Sequence, residues 1–203
     1  MQTKSPRALA VAVWPENVNR ALQTIVLILL GTAFLAVSAK IKVWQEPVPI
    51  TLQTFAVMAL AAAYGSRLAV ATVVAYLVEG ALGLPVFTNT PPLIAGPAYF
   101  LGTTGGFLLG FIPLAFIVGT AADRGWDRSI PKLFAAMVVA DVVVFVIGFA
   151  WLAWGAHLAS GAMGIGYANA FKFGVAPFLL ADLLKLALAA LLVPTIWGLV
   201  KTK

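Results

Sequence analysis

The chain has 203 residues, of which 62% are hydrophobic and only 10% charged, with a formal net charge of +6 and no cysteine. A soluble domain carries roughly 45–50% apolar and 25% charged residues, so this composition excludes an ordinary soluble protein, and the basic excess reads as a membrane topology signal rather than a nucleic-acid surface. Without cysteine there is no disulfide, thiolate metal site or cysteine nucleophile, and the single His157 sits in a polar connector without the partners a metal site needs.

Residues 1–20 are polar, with Lys4, Arg7, Glu16 and Arg20. No short apolar core with a cleavage site precedes the first long apolar run, so no cleaved signal peptide is expected. Apolar runs bounded by charges and by Pro/Gly breaks predict helices at 21–41, 51–66, 67–84, 99–122, 131–155 and 174–200. Each approaches the ~20 residues that cross a hydrocarbon core of roughly 30 Å, and such continuous runs fit helices rather than a barrel. Gly65, Ser66 and Arg67 alone separate the second run from the third, which predicts a tight helical hairpin. No internal repeat is visible, so the inverted-repeat architecture of many carriers has no support. The expected fold is an all-α bundle of six transmembrane helices, one membrane domain over 21–200 between a polar segment 1–20 and a tail 201–203.

An even number of spans puts both termini on one side. Lys4, Arg7, Arg20, Arg67, Arg124, Arg128, Lys132, Lys201 and Lys203 fall in the tails and even-numbered loops, against Lys40, Lys42 and Lys172 in the odd-numbered ones. The positive-inside rule therefore places both termini in the cytoplasm.

Four ionisable residues interrupt the apolar runs: Glu79, Asp141, Asp182 and Lys185. Each costs about 2.5–3.5 kcal/mol at mid-helix on insertion scales, so such side chains face a bundle interior or a water-filled cavity. Asp182 and Lys185, at i and i+3 in "ADLLKL", share a helix face and can neutralise each other. Asp182 lies about eight residues into a helix entering from outside, roughly 12 Å deep, which is the depth of a pocket. A helix-packing ion pair without a ligand is the alternative. Glu79 can serve snorkelling or a ligand, and Asp141 reads as a hydrogen-bonded structural acid.

Three further stretches fall on the outer side. "PVPITLQTF" (47–55) brings Thr51, Gln53 and Thr54, groups able to hydrogen-bond, to the second helix. "GLPVFTNTPP" (83–92), with Asn89, forms a partly polar lid, and the glycines of "GPAYFLGTTGGFLLGF" (96–111) allow close approach of a helix or a ligand.

With these residues in view, the chain resembles the BioY family, the biotin-specific substrate-binding subunits of bacterial energy-coupling factor (ECF) transporters. The resemblance rests on "PVPITLQTFAV", "EGALGLPVF", "GPAYFLGTTGGFLLGF" and "PFLLADLLK", in that order, and spans about 21–200. Two departures stand out: Thr103 replaces a frequent proline, and Leu180 and Ala181 replace a frequent proline-glycine pair. The resemblance implies that Asp182 and Lys185 hold a polar head group of biotin, that Asn89 matches a ligand-binding asparagine, and that Tyr99, Phe87 and Trp44 are candidates for apolar contact with the fused rings. It also implies a bacterial cell membrane location, biotin as the transported ligand with no cofactor, and a partner membrane subunit coupled to two cytoplasmic ATPases.

No G-x-x-x-x-G-K-[ST] phosphate loop occurs, so the chain is not expected to hydrolyse ATP itself. Small residues Thr32, Ala33, Ala36 and Ala39 allow a close docking face on the first helix, or packing within the bundle. No catalytic constellation can be placed, so an enzyme is not expected. The rival reading is a self-sufficient ion-coupled carrier of a small organic acid or vitamin, with Glu79 and Asp141 relaying protons.

Overall fold

The structure, a computed structural model, describes residues 8–12, 19–44, 47–93 and 95–201. Lys4, Arg7, Glu16, Lys203 and most of the polar segment 1–20 lie outside the described residues. Within that segment Leu9–Ala12 forms one helical turn, α1, and Leu9 is buried in the core cluster.

Helix α2, Arg20–Lys40, starts where the Asn19 side chain accepts from the Ala21 N–H at 2.8 Å. A two-stranded ribbon follows, β1 (Lys42–Trp44) antiparallel to β2 (Ile50–Thr51). Helices α3 (Gln53–Tyr64) and α4 (Ser66–Ala81) meet at Gly65, whose φ of +76° only glycine adopts without strain. The Asp123 carboxylate closes this hairpin, accepting from the Ser66 N–H at 3.1 Å and from the Ser66 hydroxyl.

The helix predicted over 99–122 is interrupted. Pro97–Leu101 is a 3-10 turn, and α5 (Gly105–Asp123) begins only after Gly102. Two distant partners cause the break: the Trp151 indole N–H donates to Gly102 O at 2.9 Å, and the Thr103 hydroxyl donates to Pro47 O at 2.7 Å. Helix α6, Ile130–Ala150, continues into a π-helical turn at Trp151–Gly155. The stretch predicted to open the last helix is a separate short helix, α7 (Tyr167–Gly174), and α8 runs Phe178–Lys201 just beyond Pro177.

Among the described residues, four helical stretches are long and apolar enough to cross a membrane: Arg20–Lys40, Gly105–Asp123, Ile130–Gly155 and Phe178–Leu199. Helices α3 and α4, with 12 and 16 residues, are shorter. Helix α5 is central, packed on α3, α4 and α6, with 67% of its apolar window buried against 28% for α2 and α8. Glycine lets it approach its neighbours: a Cβ on Gly106 would stand 2.2 Å from Trp151 Cβ, and one on Gly119 would stand 2.5 Å from Ser66 Cα. Within "GPAYFLGTTGGFLLGF", Gly106 and Gly110 thus serve helix packing, Gly102 and Gly105 sit against the backbone of the 3-10 turn, and Gly96 takes a positive φ of +136° with open space beside it. On α2, Thr32 and Ala39 are buried inside the bundle, Ala36 packs on its core, and Ala33 is exposed.

Helix α8 shows why an acid and a lysine survive in an apolar run. Phe178, Asp182, Leu186, Ala189, Ala190, Val193 and Trp197 are buried at i, i+3 and i+4 spacing, while Leu179, Leu180, Leu183, Leu184, Leu188 and Leu191 are exposed. The polar pair belongs to the bundle face. At the lower end the Trp197 indole N–H donates to Asp127, and the Arg128 guanidinium lies 4.5 Å from the Trp197 ring centroid. Burial pushes the Asp127 carboxyl above its ordinary range, and the Trp197 N–H and Arg128 pull it back.

Candidate functional site

At the upper end, the segment 48–54, the 3-10 turn and helices α5, α6 and α8 surround a cleft. One wall is aromatic. The Phe107 and Phe178 rings stack at 6.3 Å, and Phe145 meets Phe178 edge-on at 6.2 Å. One helical turn after Phe178 comes Asp182, the acid in the cleft lining.

Asp182 is buried, and Lys185 Nζ donates to its Oδ1 at 2.6 Å. Asp182 itself lines the cleft, whereas Lys185 lies one helical turn further down and is not among the lining residues. The sequence-predicted pair is therefore bonded, with its acid at the cavity wall.

The facing wall is polar. Gln53 Nε2 donates to the Tyr76 hydroxyl at 2.8 Å, and that hydroxyl donates to Val86 O at 3.0 Å. Because Tyr76 has one proton, already given to Val86, it must accept from Gln53, whose Oε1 is then the acceptor not used by Tyr76. Thr51 also lines the cleft, and its hydroxyl accepts from the Gln53 N–H at 3.2 Å. Thr88 Oγ1 is buried in the same lining without a hydrogen-bond partner among the described residues.

Tyr99 lines the cleft as well, with Phe87 stacked behind it at 4.7 Å. Burial pushes the Tyr99 hydroxyl above its ordinary pKa, while hydrogen bonds with Thr104 and the Asn89 backbone pull it down. Phe87 is not a lining residue. It sits over Gly80, where a Cβ would come within 2.0 Å of the ring, and anchors the lid to α4. Asn89 lies outside the lining too, its Oδ1 accepting from Lys42 Nζ at 2.7 Å. The Lys40 ammonium donates to the carbonyls of Phe87 and Thr90, so two lysines strap the lid down. Trp44 belongs to β1, and its side chain lies outside the described residues.

Of the predicted site residues, the structure thus gathers Asp182, Gln53, Thr51 and Tyr99 around one cavity, with Lys185 beneath it and Phe87 and Asn89 behind the wall. The lining residues Thr88, Thr104, Phe107, Phe111, Val144, Phe145 and Phe178 were not anticipated. Glu79 is half-buried and away from the lining, whereas Asp141 on α6 is buried and interacts electrostatically with Asp182 and Lys185. Among the described residues, no group of three His, Cys, Asp or Glu side chains is placed to hold a metal ion.

Chemically, such a cavity takes a small molecule with an apolar body. Its N–H donors would meet the Asp182 carboxylate and the Gln53 carbonyl oxygen.

The comparisons with known proteins agree with this architecture. The solved S-component for biotin from an ECF-type ABC transporter superposes with a TM-score of 0.71 at 21% identity, over 92% of this chain and 95% of that one, which establishes a shared fold. The biotin transporter BioY of Thermotoga maritima is 34% identical over 161 residues, 79% of this chain and 88% of the relative. The biotin transporter BioY2 of Lactococcus lactis subsp. cremoris is 33% identical over 181 residues, 89% of this chain and 91% of the relative. These relatives are transporters, not enzymes. The BioY family profile matches residues 8–202, from α1 to the end of α8, and the chain belongs to that family.

Proposed function

We propose that this chain is the biotin-binding membrane subunit of an ECF-type uptake system. The observation that carries the reading is the buried acid in the cleft wall: Asp182, held by Lys185 through one oxygen, beside the stacked rings of Phe107 and Phe178. Biotin has matching chemistry. Its fused rings present an apolar body to the aromatic wall, and its ureido N–H groups are donors for the second Asp182 oxygen and for Gln53 Oε1. Lys185 neutralises the acid, Thr51 and Tyr99 complete the wall, and Asn89, Phe87 and Trp44 belong to the lid and the ribbon around it.

In this reading the bundle spans a bacterial cell membrane six times, as one domain over 21–200 with both termini in the cytoplasm and the cleft opening outward. The short α3 is compatible with that, because the non-helical stretch 47–52 before it is packed in protein at the cavity, where irregular backbone is tolerated. The leucine faces of α2 and α8 meet lipid. A separate membrane coupling subunit with two cytoplasmic ATPases supplies the energy.

The test is binding of labelled biotin to the purified chain in detergent, with other vitamins as competitors. Saturable binding displaced by unlabelled biotin alone is expected. Absence of binding, or equal displacement by an unrelated vitamin, would overturn the proposal. Uptake that persists without any ATPase and stops when the proton gradient is collapsed would favour an ion-coupled carrier instead.

A further inference from the structure

Below the cleft lies a second acid that the biotin reading does not use. Val144 and Phe145 of α6 line the cavity, and Asp141 precedes them by three and four residues, so it shares their helix face one turn further down. Lys185 stands one turn below Asp182 on the antiparallel α8, which puts Asp141 and Lys185 in the same layer under the cavity floor. Asp141 is buried, its Oδ1 has no hydrogen-bond partner among the described residues, and the charges of Asp182 and Lys185 act on it without a bonded ion pair.

Asp182 and Lys185 are the charged groups that act on it. Helix α3 carries no ionisable acid or base, and the acid of α5 is Asp123 at the far end, bonded to Ser66. Lys185 is the cation that interacts with Asp141. An ammonium has three donors, and one is seen given to Asp182.

We propose that Asp141 is a positioning residue of the cleft floor, its charge drawing the Lys185 ammonium from α6 while Asp182 bonds it from α8. The cation is then kept under the floor, and the second Asp182 oxygen is kept turned to the cavity. Asp141 acts on the ligand through Lys185 and does not touch it. The ligand part of this inference rests on the biotin reading.

A double-mutant cycle tests it with Asp141→Asn, Lys185→Met and the pair, in detergent, read by biotin affinity and by thermal unfolding without ligand. Asp141→Asn should weaken biotin binding about tenfold in the parent but less than about twofold in the Lys185→Met background, with unfolding midpoints equally non-additive. Asp141→Glu, which keeps the charge, should restore most of the affinity. Lys185→Gln replaces Lys185→Met as the background if the latter does not fold. Equal effects of Asp141→Asn in both backgrounds, or none in either, would overturn the inference. A parent that binds no biotin while the unfolding cycle stays non-additive would count against the biotin reading alone.

Discussion

At the lower end of the bundle Asp123 is bonded to Ser66 and Asp127 to Trp197, so these acids tie one element to another. At the upper end the polar groups look inward instead. Asp182 faces a cavity, Gln53 Oε1 is left over after Tyr76 is served, and Thr88 Oγ1 is buried without a partner among the described residues. Both ends carry polar side chains among apolar helices, and among the described residues both leave atoms without a hydrogen-bond partner, Asp127 Oδ1 and Gln23 Nε2 below and Thr88 Oγ1 above; the difference is that Thr88, like Asp182 and Gln53, lines the cleft. Groups bonded to another element hold the fold, and polar groups that line a cleft are the ones a ligand can reach.

That contrast is broken most strongly at Asp182. Asp182→Asn keeps the shape but replaces the charged acceptor with an amide. Hydrogen bonds to charged groups are worth about 1.5–3 kcal/mol, so biotin affinity should fall by about ten- to a hundredfold. Calorimetric titration of the detergent-solubilised protein reads this directly, and an unchanged affinity would remove Asp182 from the site.

The complementary change at the lower end is Trp197→Phe, which keeps the ring and deletes the N–H donated to Asp127. It leaves a buried carboxylate short of a partner, at a cost of about 1–3 kcal/mol of stability. The unfolding midpoint should drop while biotin affinity stays within about twofold. A large affinity loss would mean that the two ends are coupled, contrary to the division drawn here.

Thr88→Val sharpens the comparison at the cleft itself. The orphan hydroxyl has no bond to lose in the unliganded protein, so stability should hold or rise slightly. Affinity should fall by the net worth of one neutral hydrogen bond, about 0.5–1.5 kcal/mol. Lower stability with unchanged affinity would show that Thr88 serves the fold rather than a ligand.

The sequence exposes half of this picture, for a physical reason. An ionisable or amide group in an apolar run costs so much that it stands out, which is why Asp182, Lys185, Gln53 and Thr51 could be singled out. The helices α2, α4 and α6 were legible from the length of their apolar runs. An apolar wall residue does not stand out. Phe107, Phe145 and Phe178 line the cleft while Phe116 is 57% exposed, and nothing in composition separates them until the inward face of each helix is known. The break before α5 depends on Thr103 meeting Pro47 and on Trp151 meeting Gly102, partners 56 and 49 residues apart. Asp141 reads in the sequence as a hydrogen-bonded structural acid, whereas its Oδ1 has no hydrogen-bond partner among the described residues and the charges that act on it come from another helix. The departure at Thr103 acquires a use here, since its hydroxyl ties the turn to the first upper loop as no proline could.

The smallest expected effect concerns the lid. Lys42 holds Asn89 at 2.7 Å, and neither residue lines the cavity, so their bond retains the ligand indirectly by keeping the loop at 87–90 against α2 and β1. A half-buried bond of this kind is worth about 1 kcal/mol or less. Lys42→Met and Asn89→Ala should each weaken biotin binding about two- to threefold, chiefly through faster release, and together they should do no more than either alone. If Asn89→Ala instead costs far more than Lys42→Met, the amide leaves its lysine and reaches the ligand. The lid would then belong with Asp182 and Thr88 among the groups that a ligand can reach.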